Sequence, residues 1–258
     1  MNSFIIKLIL MPLVIGGVTL VSKKWGNLVG GMIASLPWIA GPIVLFFTLE
    51  QGVDFTVNSI KGVMIGTIGV LGFCLAYIHS CEKNKWYISL TLAYLAFATT
   101  SLILNIFDDL FSLSRWFIIT IVLIILTIII FPKFEKQKSH TKILKYDIYL
   151  RMIIATLFVV SITYLADILG PTWSGILTPF PIMTAILAAF THYTQGAYGT
   201  SIIMRGMLSG FAGFATFLYL QAQLLPQFSI PVSFSIGLIV NVIINLLMRY
   251  FVKRIISN

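Results

Sequence analysis

Residues 56–78 read TVNSIKGVMIGTIGVLGFCLAYI, a stretch that contains one cation and no acidic residue. A transmembrane helix needs roughly 20 mostly apolar residues, so this stretch is long enough to cross a bilayer. A transmembrane strand alternates apolar and polar positions, whereas the apolar residues here fall on every face of a helix. The stretch therefore predicts a membrane-spanning helix.

Stretches of the same kind occur along the whole chain. Hydrophobic residues make up 59% of the sequence and charged residues 10%, and the mean hydropathy is +1.00. A soluble protein is about half apolar and about a quarter charged, so this composition excludes an ordinary soluble enzyme, a disordered protein and a disulfide scaffold. We predict an all-α integral membrane protein with about nine transmembrane helices, at Phe4–Val21, Leu28–Leu49, Thr56–Ile78, Trp86–Ile106, Arg115–Phe131, Ile148–Leu169, Trp173–His192, Ser201–Leu225 and Val232–Phe251.

The basic residues lie mainly in the loops on one side of these nine spans. That side includes Lys23, Lys83, the lysine-rich segment 132–146 and Arg249, whereas the other side has most of the acidic residues. Loops on the cytoplasmic side carry an excess of Lys and Arg, which predicts an external N-terminus and a cytoplasmic C-terminus. The formal net charge of +9 follows from the same rule, so we expect no nucleic-acid partner.

The two parts of the sequence resemble each other at a constant offset. Gly31 and Gly175 lie 144 positions apart. The same offset, without a gap, pairs Pro37 with Pro181, Gln51-Gly52 with Gln195-Gly196, Thr56 with Thr200, Lys61 with Arg205, and Gly62, Gly66 and Gly69 with Gly206, Gly210 and Gly213. We interpret the glycines as points of close helix packing.

This offset relates spans one to four to spans six to nine. We divide the chain into a first repeat half at 1–113, a connecting transmembrane helix and basic cytoplasmic loop at 114–146, and a second repeat half at 147–258. A shift of five spans reverses orientation, so the halves are predicted to form an inverted repeat. Many secondary transporters have this architecture, with the substrate site near the bilayer midplane.

Two segments carry a resemblance to a known family. Residues 22–52 contain Leu28-Val-Gly-Gly-Met-Ile-Ala-Ser-Leu-Pro37, and the second half contains Gly175-Ile-Leu-Thr-Pro-Phe-Pro-Ile182. Each segment resembles the small GlpM-like inner-membrane proteins of bacteria, which are single copies of such a half-unit. The resemblance implies a location in the bacterial inner membrane and a fusion of two units in this chain.

The prolines of spans two and seven give the most irregular sequence in the apolar stretches. A proline inside a helix removes a backbone donor, and the groups it frees at membrane depth need other partners. We hypothesise that both helices break there and face each other, so that the following half-helices present backbone N–H groups to an anion. The candidate substrate-binding residues are Ser35, Pro37, Trp38, Thr178, Pro179 and Pro181. Ordinary proline kinks are the alternative.

Charged residues near span ends supply further candidates. Lys7, Arg151 and Arg205 are candidate substrate-binding cations, because charges within spans are costly and are usually functional unless they reach the interface. Asp167 and His192 are the candidate coupling residues, for the same reason. In each case an interfacial position is the alternative.

Three functions remain open from the sequence. The first is a small secondary transporter that moves an anionic or zwitterionic organic solute by alternating access. The second is a carrier or flippase of a lipid-linked anion such as a polyprenyl phosphate, and the third is a non-transporting subunit of an envelope polysaccharide or assembly system. Sequence motifs of metalloproteases and serine hydrolases do not occur, so we expect neither an enzyme, a metal nor a cofactor. The expected partners are membrane lipid and a small anionic or amphipathic substrate, and a homodimer is compatible with so small a transporter.

Overall fold

The computed structural model describes residues 36–132, 134 and 147–257, with isolated positions between 5 and 33. The side chains of residues 147, 151, 249 and 251–257 are not among those described. The described helices are α1 (Ala40–Glu50), α2 (Val53–Ser80), α3 (Trp86–Asn105), α4 (Leu113–Ile130), α5 (Asp147–Tyr164), α6 (Ala166–Leu177), α7 (Ile182–Leu224) and α8 (Ile230–Ser257), with a short 3-10 turn at Asp108–Leu110.

Five of the described helices, α2, α3, α4, α7 and α8, are long and apolar enough to cross a bilayer. A sixth span results if α5 and α6, which are bent by 119° at Leu165, are taken together. The predicted helical membrane protein is therefore confirmed in its class. The number nine stays a prediction, because the first span and most of the first part of the second lie outside the described residues.

Two predicted spans are interrupted within their bounds. Leu28–Leu49 is interrupted at residues 36–39, and Trp173–His192 is interrupted at residues 178–181. The sixth span also ends early, at Tyr164, and α6 begins two residues later. Within α6, Gly170 has φ 68° and ψ 173°, a conformation that only glycine adopts readily, and Pro171 then begins the next helical turn, where its missing N–H costs little.

The first and last residues of helical segments recur at the same spacing of 144 positions as the repeat in the sequence. Gly52 and Gly196 have φ values of 91° and 71°, and each precedes a helical segment, α2 in one case and residues 197–224 of α7 in the other. Both segments start and end 144 positions apart. The next helices, α3 and α8, also begin 144 positions apart, at Trp86 and Ile230.

Helices α2 and α7 form the centre of the protein. About four fifths of the most apolar 18-residue stretch of α2 is buried. The buried share of the corresponding stretch is 22% in α3 and in α8, and 28% in α4. A methyl group added at Gly62 would collide with the Thr172 carbonyl, and one added at Gly175 would collide with the Ser59 carbonyl. The predicted close packing at Gly62 is therefore confirmed, and its partner is α6.

Helix α4 lies alongside this centre and shows how α2 and α7 run. Near its start, Asp108 pairs with Lys61 at 3.3 Å, and the Tyr219 hydroxyl lies 3.1 Å from the Ser114 hydroxyl. At its other end, the Ser201 hydroxyl donates to the Pro132 carbonyl at 3.1 Å. The start of α2 and the end of α7 thus lie at one end of α4, and residues just after Gly196 lie at the other end. Helix α2 and the second part of α7 therefore run in opposite directions.

Candidate functional site

The two helix breaks have the same backbone hydrogen bonds. At the first break, the Trp38 N–H donates to the Leu36 carbonyl at 2.7 Å, and the Gly41 N–H donates to the Pro37 carbonyl at 2.8 Å. At the second break, Ile182 and Ala185 make the same two bonds to Phe180 and Pro181, also at 2.7 and 2.8 Å. Each partner in the second pair of bonds lies 144 positions after its counterpart.

A proline stands at the centre of each of these turns. Pro181 has φ −77° and ψ 52°, close to the conformation of an inverse γ-turn, in which an N–H bonds the carbonyl two residues earlier. The ring of proline fixes φ near this value and thus favours the turn. The structure therefore confirms that the helices break at these prolines.

The two breaks line one cavity. Leu36 and Trp38 of the first break, and all four residues of the second (Thr178, Pro179, Phe180 and Pro181), contribute to its wall. Helix α2 adds Thr67 and Val70, and α7 adds Phe211 and Phe214. The cavity has a volume of about 50 Å³, enough for a few water molecules and too small for an organic solute. The space between the breaks has to widen before an organic solute can bind there.

The polar groups of the cavity are hydroxyls and helix ends. The Thr67 hydroxyl donates to the Val63 carbonyl at 2.7 Å, and the Thr178 hydroxyl donates to the Ser174 carbonyl at 2.8 Å. Because these hydroxyl hydrogens are used, the two oxygens face a ligand as acceptors. The first turns of α1 and α7 also line the cavity, through Ala40 and through Met183 and Thr184. The Gly41 and Ala185 N–H groups donate to the prolines of the breaks, so the donors that these turns leave for an anion are the N–H groups of Ala40, Met183 and Thr184.

Two of the expected site residues lie in the break with a structural task. Trp38 turns its ring toward the cavity, but its indole N–H donates to the Ile33 carbonyl at 2.7 Å and so secures the break to the preceding chain. Pro179 lies against Gly66 of α2, where a methyl group would come within 2.8 Å of the proline ring. Ser35 lies outside the described residues.

Arg205, the one predicted cation whose side chain the structure describes, does not line this cavity. Arg205 is buried, its guanidinium donates to the Phe131 carbonyl, and it lies 5.4 Å from the centre of the Phe131 ring. Residue 131 precedes Pro132 and takes an extended conformation, which ends α4 and leaves its carbonyl for Arg205. Arg205 therefore holds the end of α4. Lys7 and the side chain of Arg151 lie outside the described residues.

The two candidate coupling residues also lie away from the cavity. Asp167 is exposed in the first turn of α6. His192 is half-buried, and its Nδ1 lies 3.3 Å from the Tyr77 hydroxyl near the end of α2. This contact joins α2 to α7 close to the Gly196 kink. No local sequence pattern indicates Tyr77 as its partner, because the two residues are 115 positions apart.

Sequence reasoning also missed Thr67, Phe211 and Phe214 as wall residues. Thr67 directly follows Gly66, on the helix that packs against α6, and its position beside a packing glycine is the sequence signal that could have indicated it.

Comparison with protein-family models, with characterised proteins and with solved structures finds no match for this chain. The resemblance to GlpM-like proteins therefore stays a prediction.

Proposed function

We propose that this protein is a small secondary transporter that moves an organic solute by alternating access through the cavity between the two helix breaks. The observation that carries the proposal is the pair of matching proline turns, which lie 144 positions apart in sequence and border one small cavity. A site built from two equivalent turns has no preferred side. Opening it toward one face of the membrane and then toward the other requires similar rearrangements in the two halves.

The proposal includes the inverted repeat. Its support is the opposite course of α2 and the second part of α7 along α4, together with the coincident helix ends. Inverted halves place their shared site near the bilayer midplane and give two conformations of similar energy. In this view the bacterial inner membrane, the external N-terminus and the cytoplasmic C-terminus remain part of the proposal.

The substrate is proposed to be anionic or zwitterionic. Among the described residues no Lys or Arg lines the cavity, so the attraction has to come from the first turns of α1 and α7. The threonine oxygens and the aromatic wall favour a ligand that combines an anionic group with a cationic or apolar part. Such a ligand matches both kinds of wall.

A thermal-stability screen of the purified protein in detergent tests this proposal. Its ligands are small organic anions, amino acids, sugars and short-chain polyprenyl phosphates. A ligand that binds only the folded protein raises the free energy of unfolding by about 2.7 kcal/mol at a hundredfold excess over its Kd. The expected result is stabilisation by a small anion or zwitterion, with the shift lost in Pro37→Ala and in Pro181→Ala.

Pro231→Ala is the matched control, since Pro231 is exposed in the first turn of α8. If a ligand stabilises Pro37→Ala and Pro181→Ala as much as the native protein, it does not bind at the site between the breaks. If the double variant Pro37→Ala, Pro181→Ala is expressed normally and keeps the full biological activity of the protein, the result would instead support a non-transporting subunit.

A second candidate function has its own observation. Between α3 and α6 a groove of about 580 Å³ opens beside the cavity, and its walls are mostly apolar. A carrier of a lipid-linked anion needs such a lateral opening, whereas a transporter of soluble solutes does not. In the screen, stabilisation by polyprenyl phosphates alone would favour this function.

A further inference from the structure

The groove lies between one exposed helix and one helix that reaches the cavity. Tyr94, Phe97 and Ser101 of α3 form one wall, and Trp173 and Ile176 of α6 form the other. Its volume of about 580 Å³ lies within the range of ligand pockets, roughly 300–1,000 Å³. The cavity between the breaks, at about 50 Å³, is too small for a ligand of that size. The groove is therefore the larger of these two neighbouring spaces.

The groove opens toward lipid. Helix α3 is long and apolar enough to span the bilayer, and only 22% of its most apolar window is buried in the protein. Leu95 and Leu102 of α3 are 57% and 53% exposed, and Trp173 on the opposite wall is 38% exposed. In a bilayer, hydrocarbon chains surround these side chains. The hydrocarbon of the membrane is thus the material that meets the mouth of the groove.

Phe180 separates the groove from the cavity, because it lines both. Its ring stacks on Tyr94 with centroids 5.4 Å apart and meets the edge of Phe97 at 5.2 Å. It also stacks on Phe158 of α5 at 5.4 Å. Phe180 belongs to the helix break, where it is not held in a regular helix on either side. Among the residues that line the two spaces, Phe180 is the one they share.

We propose that the groove holds one acyl chain of an anionic membrane lipid, whose head group enters the cavity when Phe180 moves aside. This inference rests on the second candidate function, the carrier of a lipid-linked anion, and names its substrate class as an amphipathic membrane lipid. A neighbouring helix has a diameter of about 10 Å and could cover the groove, but it could not continue past Phe180 into the cavity. A single chain can follow the groove to Phe180 and leave its head group beyond it.

The lipid class follows from the two different walls. The groove supplies aromatic and aliphatic side chains and accepts a hydrocarbon chain, which gains about 0.8 kcal/mol for each CH₂ it buries from water. In a bilayer most of that gain is already present, so the groove selects by shape and the cavity by head group. The cavity supplies two helix N-terminal turns, which favour a negative group.

Photo-crosslinking in vesicles tests the inference. The native protein is reconstituted in phosphatidylethanolamine and phosphatidylglycerol, with a phosphatidylglycerol that carries a diazirine on one acyl chain. Labelled residues are identified by mass spectrometry. The expected result is stronger labelling at the groove residues Tyr94, Ala98 and Trp173 than at Leu95, which faces lipid outside the groove.

Two variants are matched on α3. Ala98→Trp fills the groove and is expected to reduce labelling at Tyr94 and Trp173 by about tenfold, the effect of one misfitted group in a hydrophobic pocket. Leu95→Trp adds the same side chain to the lipid-facing surface and is expected to leave that labelling unchanged. Both positions are exposed on α3, so neither variant disturbs the buried core.

Each outcome decides between the proposals. Uniform labelling along α3, equal labelling in the two variants, or crosslinks from the groove to a second copy of the chain would overturn the lipid inference. If a soluble anion stabilises the protein while the groove stays unlabelled, the transporter stands and the lipid inference fails. If the groove is labelled but every stabilising compound acts equally well on Pro37→Ala and Pro181→Ala, the groove binds lipid and the cavity is not the binding site.

Discussion

Helices α2 and α3 of the first half can be compared with the second part of α7 and α8. In the first half, Gly69 packs against Phe97 and Ser101 of α3. At the equivalent place Gly213 packs against Asn241 and Asn245 of α8, and every one of these partners lies 144 positions after its counterpart. The backbone contact is thus the same in the two halves, but its side chains are a phenyl ring and a hydroxyl in one and two amides in the other.

The contact has one feature that the fold requires, the glycine, and one that differs between the halves, the side chains that face it. A small residue is needed wherever two helices approach closely, so the glycines recur. The residues that face the glycine only have to fit the space. Phe97 and Ser101 also line the lateral groove, whereas Asn245 donates to the Asn241 carbonyl at 3.0 Å and joins successive turns of α8. In the described residues, the groove therefore lies beside the face of α3 that carries Phe97 and Ser101.

The largest expected effect concerns the packing of α6 on α2. Gly175→Ala would place a methyl group against the Ser59 carbonyl, and we expect it to lower the free energy of unfolding by about 2–3 kcal/mol. Gly31, its counterpart, lies outside the described residues, and Gly31→Ala should cost the same if the halves are built alike. Thermal unfolding in detergent measures both. Gly41→Ala is the control, because its new methyl group would lie 3.7 Å from Pro37. A Gly31 variant as stable as this control would break the comparison.

The next effect concerns the paired cations Lys61 and Arg205. Arg205 is 9% exposed and bonds the Phe131 carbonyl, so Arg205→Met should cost about 1.5–3 kcal/mol of unfolding free energy. The Lys61 side chain is 28% exposed in its pair with Asp108, so Lys61→Met should cost less than about 1 kcal/mol. Denaturant titration of the two variants separates these values. Equal losses would show that the two cations do the same task.

A third effect concerns the glycines that begin the repeated helices. Gly52 and Gly196 combine positive φ with ψ values of 171° and −168°, a region open almost only to glycine. No atom lies within 4 Å of a methyl group added at either position, so the cost of Gly52→Ala and Gly196→Ala is that of the backbone alone. We expect about 1–3 kcal/mol for each, and nearly the same value for both. Melting temperatures that differ widely between the two variants would contradict the equivalence of these turns.

The smallest effect concerns two equivalent hydroxyls. The Thr56 hydroxyl donates to the Gly52 carbonyl at 3.0 Å, and the Thr200 hydroxyl donates to the Gly196 carbonyl at 2.9 Å. Thr56→Val and Thr200→Val each remove one such bond, and we expect a loss of about 0.5–1.5 kcal/mol in each case. Differential scanning fluorimetry of the two variants is the measurement. A loss in one half only would sharpen the comparison, by showing that the other turn is held by different contacts.

Features with a local physical cause could be predicted from the sequence. Proline cannot continue a helix, so the breaks at Pro37 and Pro181 were expected and are observed. Glycines at helical spacing predicted close packing, which is confirmed at Gly62, Gly69 and Gly213. The bilayer thickness gave the length of α2, α3 and α4 directly.

Features that depend on distant residues could not be predicted. Arg205 was expected in a basic binding site, and its actual partner is the Phe131 carbonyl 74 positions earlier. The bend at Leu165 has no proline or glycine at the break. The sequence therefore predicts one continuous span, Ile148–Leu169, where the structure has a helix that ends at Tyr164. The lateral groove depends on the distance between α3 and α6, which no local pattern encodes.

The central claim is that the cavity between the two breaks opens in turn to both sides of the membrane. Thr184 lines this cavity and is 4% exposed, and the two native cysteines, Cys74 and Cys81, are buried. The most direct test introduces Thr184→Cys into a Cys74→Ala, Cys81→Ala background and applies a membrane-impermeant maleimide to oriented vesicles, from either side. Thr120→Cys, at a fully buried position of α4, is the control. Alternating access predicts that Thr184→Cys is labelled from both sides and faster than the control. Labelling from one side only, or at the rate of the control, would contradict it.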